Sequence, residues 1–252
     1  MIASGGSDVA PAWYAAGVQY ASPLVEGILV QRYKRFFADV EVAAGRGRRQ
    51  VVTAHCANPG SMRTCAEPGG RVWLLPAPGA KRKLPWTWEL AETGGALVCV
   101  NTARGNQLVA EALAAGAIAE LRGYDEIRRE VTVGDSRIDF GLERAGERCF
   151  VEVKTATMDA GGGTTAFPDA VTSRGARHVD ELAALRRDGH RAVLLFCVAR
   201  ADAARVRPAA EIDPTYAQAL RRAAAEGVEV LAYVCDIDTA GLRVARRIEV
   251  VL

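Results

Sequence analysis

Between residues 22 and 100 the apolar positions come in short runs. Residues 27–30, 37–42, 50–55 and 71–75 alternate apolar with polar side chains or gather β-branched ones, the pattern of half-buried strands. Turn clusters part them, Ala44-Gly45-Arg46-Gly47 and Asn58-Pro59-Gly60 among them. Short strands at this spacing predict a small OB-like β-barrel. Residues 76–85, broken by Pro and Gly, read as a loop, and 97–100 as one more strand.

Beyond residue 101 the period changes. Leu108, Ala112, Leu113, Ile118 and Leu121 fall at helical spacing and predict a helix over 106–123. Residues 126–133, 136–143 and 148–155 predict a three-strand meander. A helix over 175–188 stops at Gly189, and 192–198 is a continuous apolar run, as in strands buried on both faces. Asp213 as N-cap and Pro214 at the first helical position open a helix that runs to Gly227, and 228–235 is again a buried strand. The fold class is α/β (α+β), with an N-terminal OB-like barrel (22–100) followed by an αβββαβ domain with an α-β extension (101–252). Residues 1–21 read as an extended tail.

Composition adds limits. The chain has 252 residues, half apolar and a quarter charged, the profile of a soluble globular protein. Its longest apolar run, 192–199, is strand-sized, which predicts no membrane partner. The first twenty residues lack a basic start and an apolar stretch, so a cytoplasmic location is expected. None of the six cysteines forms a C-x-x-C pair and four sit in apolar runs, which predicts buried thiols. His55, Cys56 and Cys65 suggest zinc, one ligand short.

The net charge of +2 is unevenly spread. Residues 1–100 carry 11 Lys/Arg against 7 Asp/Glu, and the remainder 21 against 23. Basic groups cluster at Arg32, Lys34 and Arg35, at Arg46, Arg48 and Arg49, and at Lys81, Arg82 and Lys83. Tyr33, Phe36, Trp86 and Trp88 stand beside two of these clusters, a mixture suited to phosphates and stacked bases. The alternative is aromatics in the core with solubilising cations around them.

The sharpest candidate chemistry lies in Arg137-Ile138-Asp139-Phe140 and Val151-Glu152-Val153-Lys154. A hairpin turn at Ala145-Gly146 sets Asp139 directly across from Glu152. Two such carboxylates repel, so a bare site needs one protonated or a cation between them. Mg2+ or Mn2+ held by Asp139 and Glu152, with the Lys154 ammonium nearby, is an arrangement for phosphodiester hydrolysis. Spacing alone leaves a solvated hairpin face as the alternative. Glu111 on the first helix is a further metal ligand candidate. Glu130 competes for that role, because a Gly134-Asp135 turn places it opposite Asp139. Arg174, Arg177 and His178 can share one helical face and clamp phosphates, or Asp169 can simply pair with Arg174. Gly161-Gly162-Gly163 reads as a mobile loop over the site. A cysteine hydrolase is excluded at His55-Cys56, since neighbours on a strand point to opposite faces.

The order αβββαβ is similar to that of restriction-endonuclease-like PD-(D/E)xK nucleases, whose Asp lies on the second core strand and (D/E)-x-K on the third. Longer stretches resemble the sugar fermentation stimulation protein family. They are Gln31-Arg32-Tyr33-Lys34-Arg35-Phe36, His55-Cys56-Ala57-Asn58-Pro59-Gly60-Ser61-Met62, Lys81-Arg82-Lys83 with Trp88-Glu89-Leu90, and Val100-Asn101-Thr102. Ser136-Arg137-Ile138-Asp139-Phe140, Glu152-Val153-Lys154 and Phe167-Pro168-Asp169-Ala170-Val171-Thr172 with Arg174-Gly175 complete the set. Pro59 departs from it, where members often carry threonine. The resemblance covers about residues 22–240 and implies an OB-like domain, a nuclease-like domain and DNA binding. The reading is a DNA-binding metal-dependent nuclease, a hydrolase. The rival is a catalytically silent DNA-binding regulator linked to sugar (maltose) metabolism. RNA is the weaker nucleic-acid partner, and a homodimer is a further candidate assembly.

Overall fold

The computed structural model describes residues 17–77, 83–134 and 136–252. Lys81 and Arg82 lie outside them, as do residues 1–16 of the expected tail. The rest of that tail departs from expectation. Val18–Gln19 form a strand, β1, whose Val18 is buried.

The barrel follows from short amphipathic strands. They are β2 (Val25–Tyr33), β3 (Phe37–Ala43), β4 (Arg49–Cys56), β5 (Arg71–Pro76) and β6 (Trp86–Thr93). Along β3 the alternation is direct: Ala38, Val40 and Val42 point inward, while Asp39 and Glu41 are half-buried between them. β2, β3 and β4 form an antiparallel meander, β5 joins β2 and β6, and a parallel pairing of β4 with β6 at His55–Thr87 and Cys56–Trp88 closes the barrel. This is a closed five-stranded OB-like barrel around Leu29, Val40, Leu74 and Trp88. Trp88 is therefore core, and its indole N–H donates to the Leu90 carbonyl at 2.8 Å, so it offers no stacking face. β7 (Ala96–Cys99) pairs with β6 and leads out of the barrel.

The second half comprises α1 (Ala103–Ala114), β8 (Glu126–Val133), β9 (Ser136–Arg144), β10 (Glu147–Ala156), β11 (Met158–Asp159), β12 (Thr164–Phe167), α2 (Ser173–Arg187), β13 (Arg191–Val198), β14 (Arg205–Pro208), α3 (Pro214–Ala225), β15 (Glu229–Ile237), β16 (Gly241–Arg247) and β17 (Glu249–Val250). A seven-stranded sheet runs β1-β16-β15-β13-β10-β9-β8. Its parallel centre, β10-β13-β15, is covered on both faces. On one face Leu108, Val109 and Ala112 of α1 pack on Val151, Val193 and Leu195; on the other, α2 and α3 cover Phe150, Leu194 and Phe196. That two-sided burial explains the unbroken apolar run of β13. Among the described residues no helix is long and apolar enough to cross a membrane.

Three expectations change. The first helix ends at Ala114 rather than 123, because Gly116 at φ 62° takes the left-handed C-terminal position and its N–H bonds the Leu113 carbonyl. Gly161, Gly162 and Gly163 belong to the turn between β11 and β12, in a four-stranded sheet β11-β12-β14-β17, and do not cover the site. The zinc reading also falls: Cys56 and Cys65 are buried in and beside the barrel core, whereas His55 is exposed. All six cysteines are buried and free, as the apolar runs predict.

Barrel and sheet are tied by polar contacts. Glu89 of β6 is almost fully buried, and its carboxylate takes two hydrogen bonds from Arg104 of α1 and one from Asn101, each at 3.0 Å. The Thr102 hydroxyl donates to the Ala57 carbonyl at 2.9 Å. A buried ion pair is costly to break, because one partner is left charged and dry. Arg104→Ala is expected to lower stability by about 3–5 kcal/mol in urea denaturation. The double change Glu89→Met, Arg104→Met should cost far less; equal losses would show that the charge left behind is not the cause.

Candidate functional site

The hairpin of β9 and β10 builds the site. Ala145 and Gly146, at φ 50° and 83°, form the two-residue turn, and the register runs from Arg144–Glu147 to Phe140–Val151. The next opposed pair is Asp139 and Glu152. There the ladder stops, and the Asp139 carboxylate accepts the Val153 N–H at 2.8 Å. Its other oxygen accepts from the Asn106 amide of α1 at 2.5 Å. Asn106 can reach because α1 lies tight on β10: a Cβ on Gly105 would strike the Thr155 hydroxyl.

Glu152 is buried, and one of its oxygens, Oε1, accepts from the Lys154 ammonium at 2.7 Å and from His178 Nδ1. Arg174 Nε donates to His178 Nε2 at 3.2 Å. A guanidinium only donates, so the imidazole proton sits on Nδ1, toward Glu152. The second oxygen, Oε2, is buried and has no hydrogen-bond partner among the described residues. Burial pushes the Glu152 carboxyl up, but His178 and Lys154 outweigh it and hold it below the ordinary range. Asp139 moves the opposite way: burial and then the Glu152 charge raise it, against the Val153, Asn106 and Lys154 contacts.

These two carboxylates suit a hard cation. An orphaned buried carboxylate oxygen beside a second, mutually repelling carboxyl is the deficit that a divalent ion would relieve. Among the described residues no group of three His, Cys, Asp or Glu side chains is placed to hold a metal. The side chains would thus supply two ligands and leave positions for water and phosphate.

A cleft of about 750 Å³ opens over this pair, walled by the barrel on one side and the segment before α2 on the other. Arg35, Arg129 and Arg174 line it. Of the other basic candidates, Lys34 and Lys83 are exposed but line no part of it. Arg32 has a different role, since its guanidinium bonds the carbonyls of Asn58, Gly60 and Ser61 at 2.8, 2.8 and 3.2 Å and is spent holding that loop. Arg177 turns outward to Glu181 at 3.6 Å, while Arg174 and His178 face the site. His178 is buried against Glu152, so it orients that carboxylate and offers nothing to a phosphate.

Glu111 is exposed and outside the cleft, because five residues along a helix turn it well away from Asn106. Asn106 takes the place by the carboxylates that was expected of Glu111. Glu130 does lie at the register position opposite Asp139, but its backbone kinks to φ 55° and its carboxylate pairs with Arg137 at 3.2 Å at the rim. Asp169 does not pair with Arg174. Its carboxylate accepts the Met62 N–H at 2.8 Å, and its carbonyl accepts the Ser61 hydroxyl at 2.5 Å. Asn106, Arg129 and the barrel loop at Asn58, Pro59 and Gly60 are the parts that sequence reading missed. Only Arg129, one residue from Glu130 on the same predicted strand, carried any signal.

Comparison with known proteins agrees with the two-part architecture. The family model described as the SfsA N-terminal OB domain matches residues 30–100, and the sugar fermentation stimulation protein RE domain matches 103–241. A sugar fermentation stimulation protein homolog of Azotobacter vinelandii is 54% identical over 239 residues, covering 93% of this chain and 100% of the relative. One from Pseudomonas aeruginosa is 54% identical over 237 residues, covering 92% and 99%. The solved structure of Pyrococcus furiosus SfsA in complex with Ca2+ is 27% identical, with a TM-score of 0.84 over 94% of this chain and 100% of that one. The chain belongs to the sugar fermentation stimulation protein family.

Proposed function

We propose that this chain is a DNA-binding protein whose larger domain hydrolyses phosphodiester bonds with a divalent metal. The observation that carries the reading is Glu152: buried, charged, fixed through one oxygen by Lys154 and His178, and left with the other unpartnered opposite Asp139. The Ca2+ complex of the Pyrococcus furiosus relative supports it, since Ca2+, like Mg2+, is a hard cation that takes oxygen ligands.

Asp139 and Glu152 would hold Mg2+ or Mn2+, and the bound ion would polarise the scissile phosphate and acidify an attacking water. The chain's own groups do the rest. Asn106 and the Val153 N–H fix Asp139, and His178 fixes Glu152, so neither carboxylate reorganises as charge develops. Lys154, which lines the cleft beside Glu152, would neutralise negative charge building on the phosphoryl oxygens. Arg35, Arg129 and Arg174 would meet the flanking phosphates.

The silent DNA-binding regulator is kept as a second reading on one observation. Lys154 already neutralises Glu152 at 2.7 Å, so the fold tolerates an empty pocket.

With purified protein, cleavage of plasmid and oligonucleotide DNA is expected in Mn2+ or Mg2+ and none in EDTA. Asp139→Ala and Glu152→Ala should fall to the EDTA level, Lys154→Ala should lose about 100- to 1,000-fold in rate, and Glu111→Gln should behave as the unaltered protein. Cleavage that survives Asp139→Ala rejects the site. Tight Mn2+ binding without cleavage selects the regulator.

Titration calorimetry of Mn2+ separates orientation from chemistry. His178→Ala is expected to weaken the metal about 10- to 100-fold, with partial recovery in His178→Gln. Removal of one cleft cation by Arg35→Ala should weaken DNA binding uniformly across sequences and reduce the salt slope by about 1.

A further inference from the structure

One wall of the cleft is fixed in place. From the Ala57 carbonyl, held by Thr102, to Met62, held by Asp169, the barrel loop runs along the cleft. Arg32 fastens it from behind through three carbonyls, and a Cβ on Gly60 would collide with the Asp169 carboxylate. This is a fixed span, tied at both ends. In the same cleft Glu152 is 3% exposed and the Lys154 side chain 11%. The space of about 750 Å³ lies within the range of roughly 300–1,000 Å³ that accepts one small ligand. A paired duplex carries its phosphodiesters on the outside of a much wider cylinder, whereas one strand alone can follow the fixed loop down to the recessed carboxylate.

A second observation concerns the walls. Pro59 and Val171, both exposed, line the cleft together with its arginines, while Phe167 packs on Phe196 and Tyr216 and Pro168 is buried. Phosphates have no use for apolar surface, whereas nucleobase faces do, and a duplex hides those faces by stacking. Cations and apolar side chains in one narrow cleft match a strand whose bases are free.

We infer that the strand entering this cleft is single-stranded DNA, so that duplex is engaged only where its strands have separated. The inference rests on the nuclease reading for its consequence, and on the recessed carboxylate and the walls for its geometry.

The test uses the full chain and three probes of one sequence: a single strand, a duplex closed by a hairpin at each end, and a duplex with an unpaired arm. By fluorescence anisotropy in EDTA, the single strand and the armed duplex should bind about ten-fold more tightly than the closed duplex. Val171 is 76% exposed, so Val171→Asp replaces apolar wall by a charge that repels phosphate without disturbing the core. It should erase that preference at unchanged Tm. Equal affinity for all three probes overturns the inference, as does a preference that Val171→Asp leaves intact. Cleavage in Mn2+ is read separately. Cuts confined to the unpaired arm support the inference, and cuts within the closed stem overturn it while sparing the nuclease reading. No cutting of any probe, with the binding preference intact, rejects the nuclease reading and leaves the strand inference standing.

Discussion

Where β9 and β10 stop pairing, a carboxylate takes over a hydrogen bond that the ladder would have made, and the site depends on that substitution. The Asp139 side chain satisfies the Val153 N–H, so the strands part without orphaning a buried donor. The opening lets helices on opposite faces of the sheet reach the same place: Asn106 from α1 and His178 from α2. Two acidic groups that repel are thus each held in place, Asp139 by Asn106 and the Val153 N–H, Glu152 by His178 and the Lys154 ammonium. Their titration is driven apart as a result, Asp139 upward and Glu152 downward.

The barrel contributes as much to this site as the sheet does. Its loop at Asn58, Pro59 and Gly60 forms a wall of the cleft, and Arg32 is consumed in shaping that loop. Glu89 and Arg104 lock the strand beneath it to α1, and α1 carries Asn106. Glu89, Arg104, α1 and Asn106 thus form a continuous run of contacts from the barrel to the Asp139 carboxylate.

Much of the architecture was legible in the sequence, because it rests on local patterns. The period-2 runs, the apolar run at 192–198, the Asp213-Pro214 start and the Ala145-Gly146 turn each specify their element from a few adjacent residues. The opposed register of Asp139 and Glu152 follows from that turn alone. What escaped depends on contacts between distant segments. Nothing near Arg32 tells that three carbonyls 26 to 29 residues on will absorb its guanidinium. Trp88 beside a basic cluster looks like a stacking surface until barrel closure buries it. The helix face shared by Arg174, Arg177 and His178 was split, because burial against β10 claims one side of α2 and leaves Arg177 to Glu181. The small sheet of β11, β12, β14 and β17 was unreadable, since its strands are two to four residues long and carry no period.

β1 gives the chain an unusual topology. Val18 and Gln19 pair with Leu242 and Gly241 at the border of the seven-stranded sheet, before the chain enters the barrel. The barrel is thereby an insertion, bracketed in sequence by pieces of its larger neighbour, and the two cannot be separated by one cut. A fragment starting after the barrel would carry β16 with its outer backbone groups bare, a template for adventitious strand addition. Dissecting this protein into halves removes a seal from one of them.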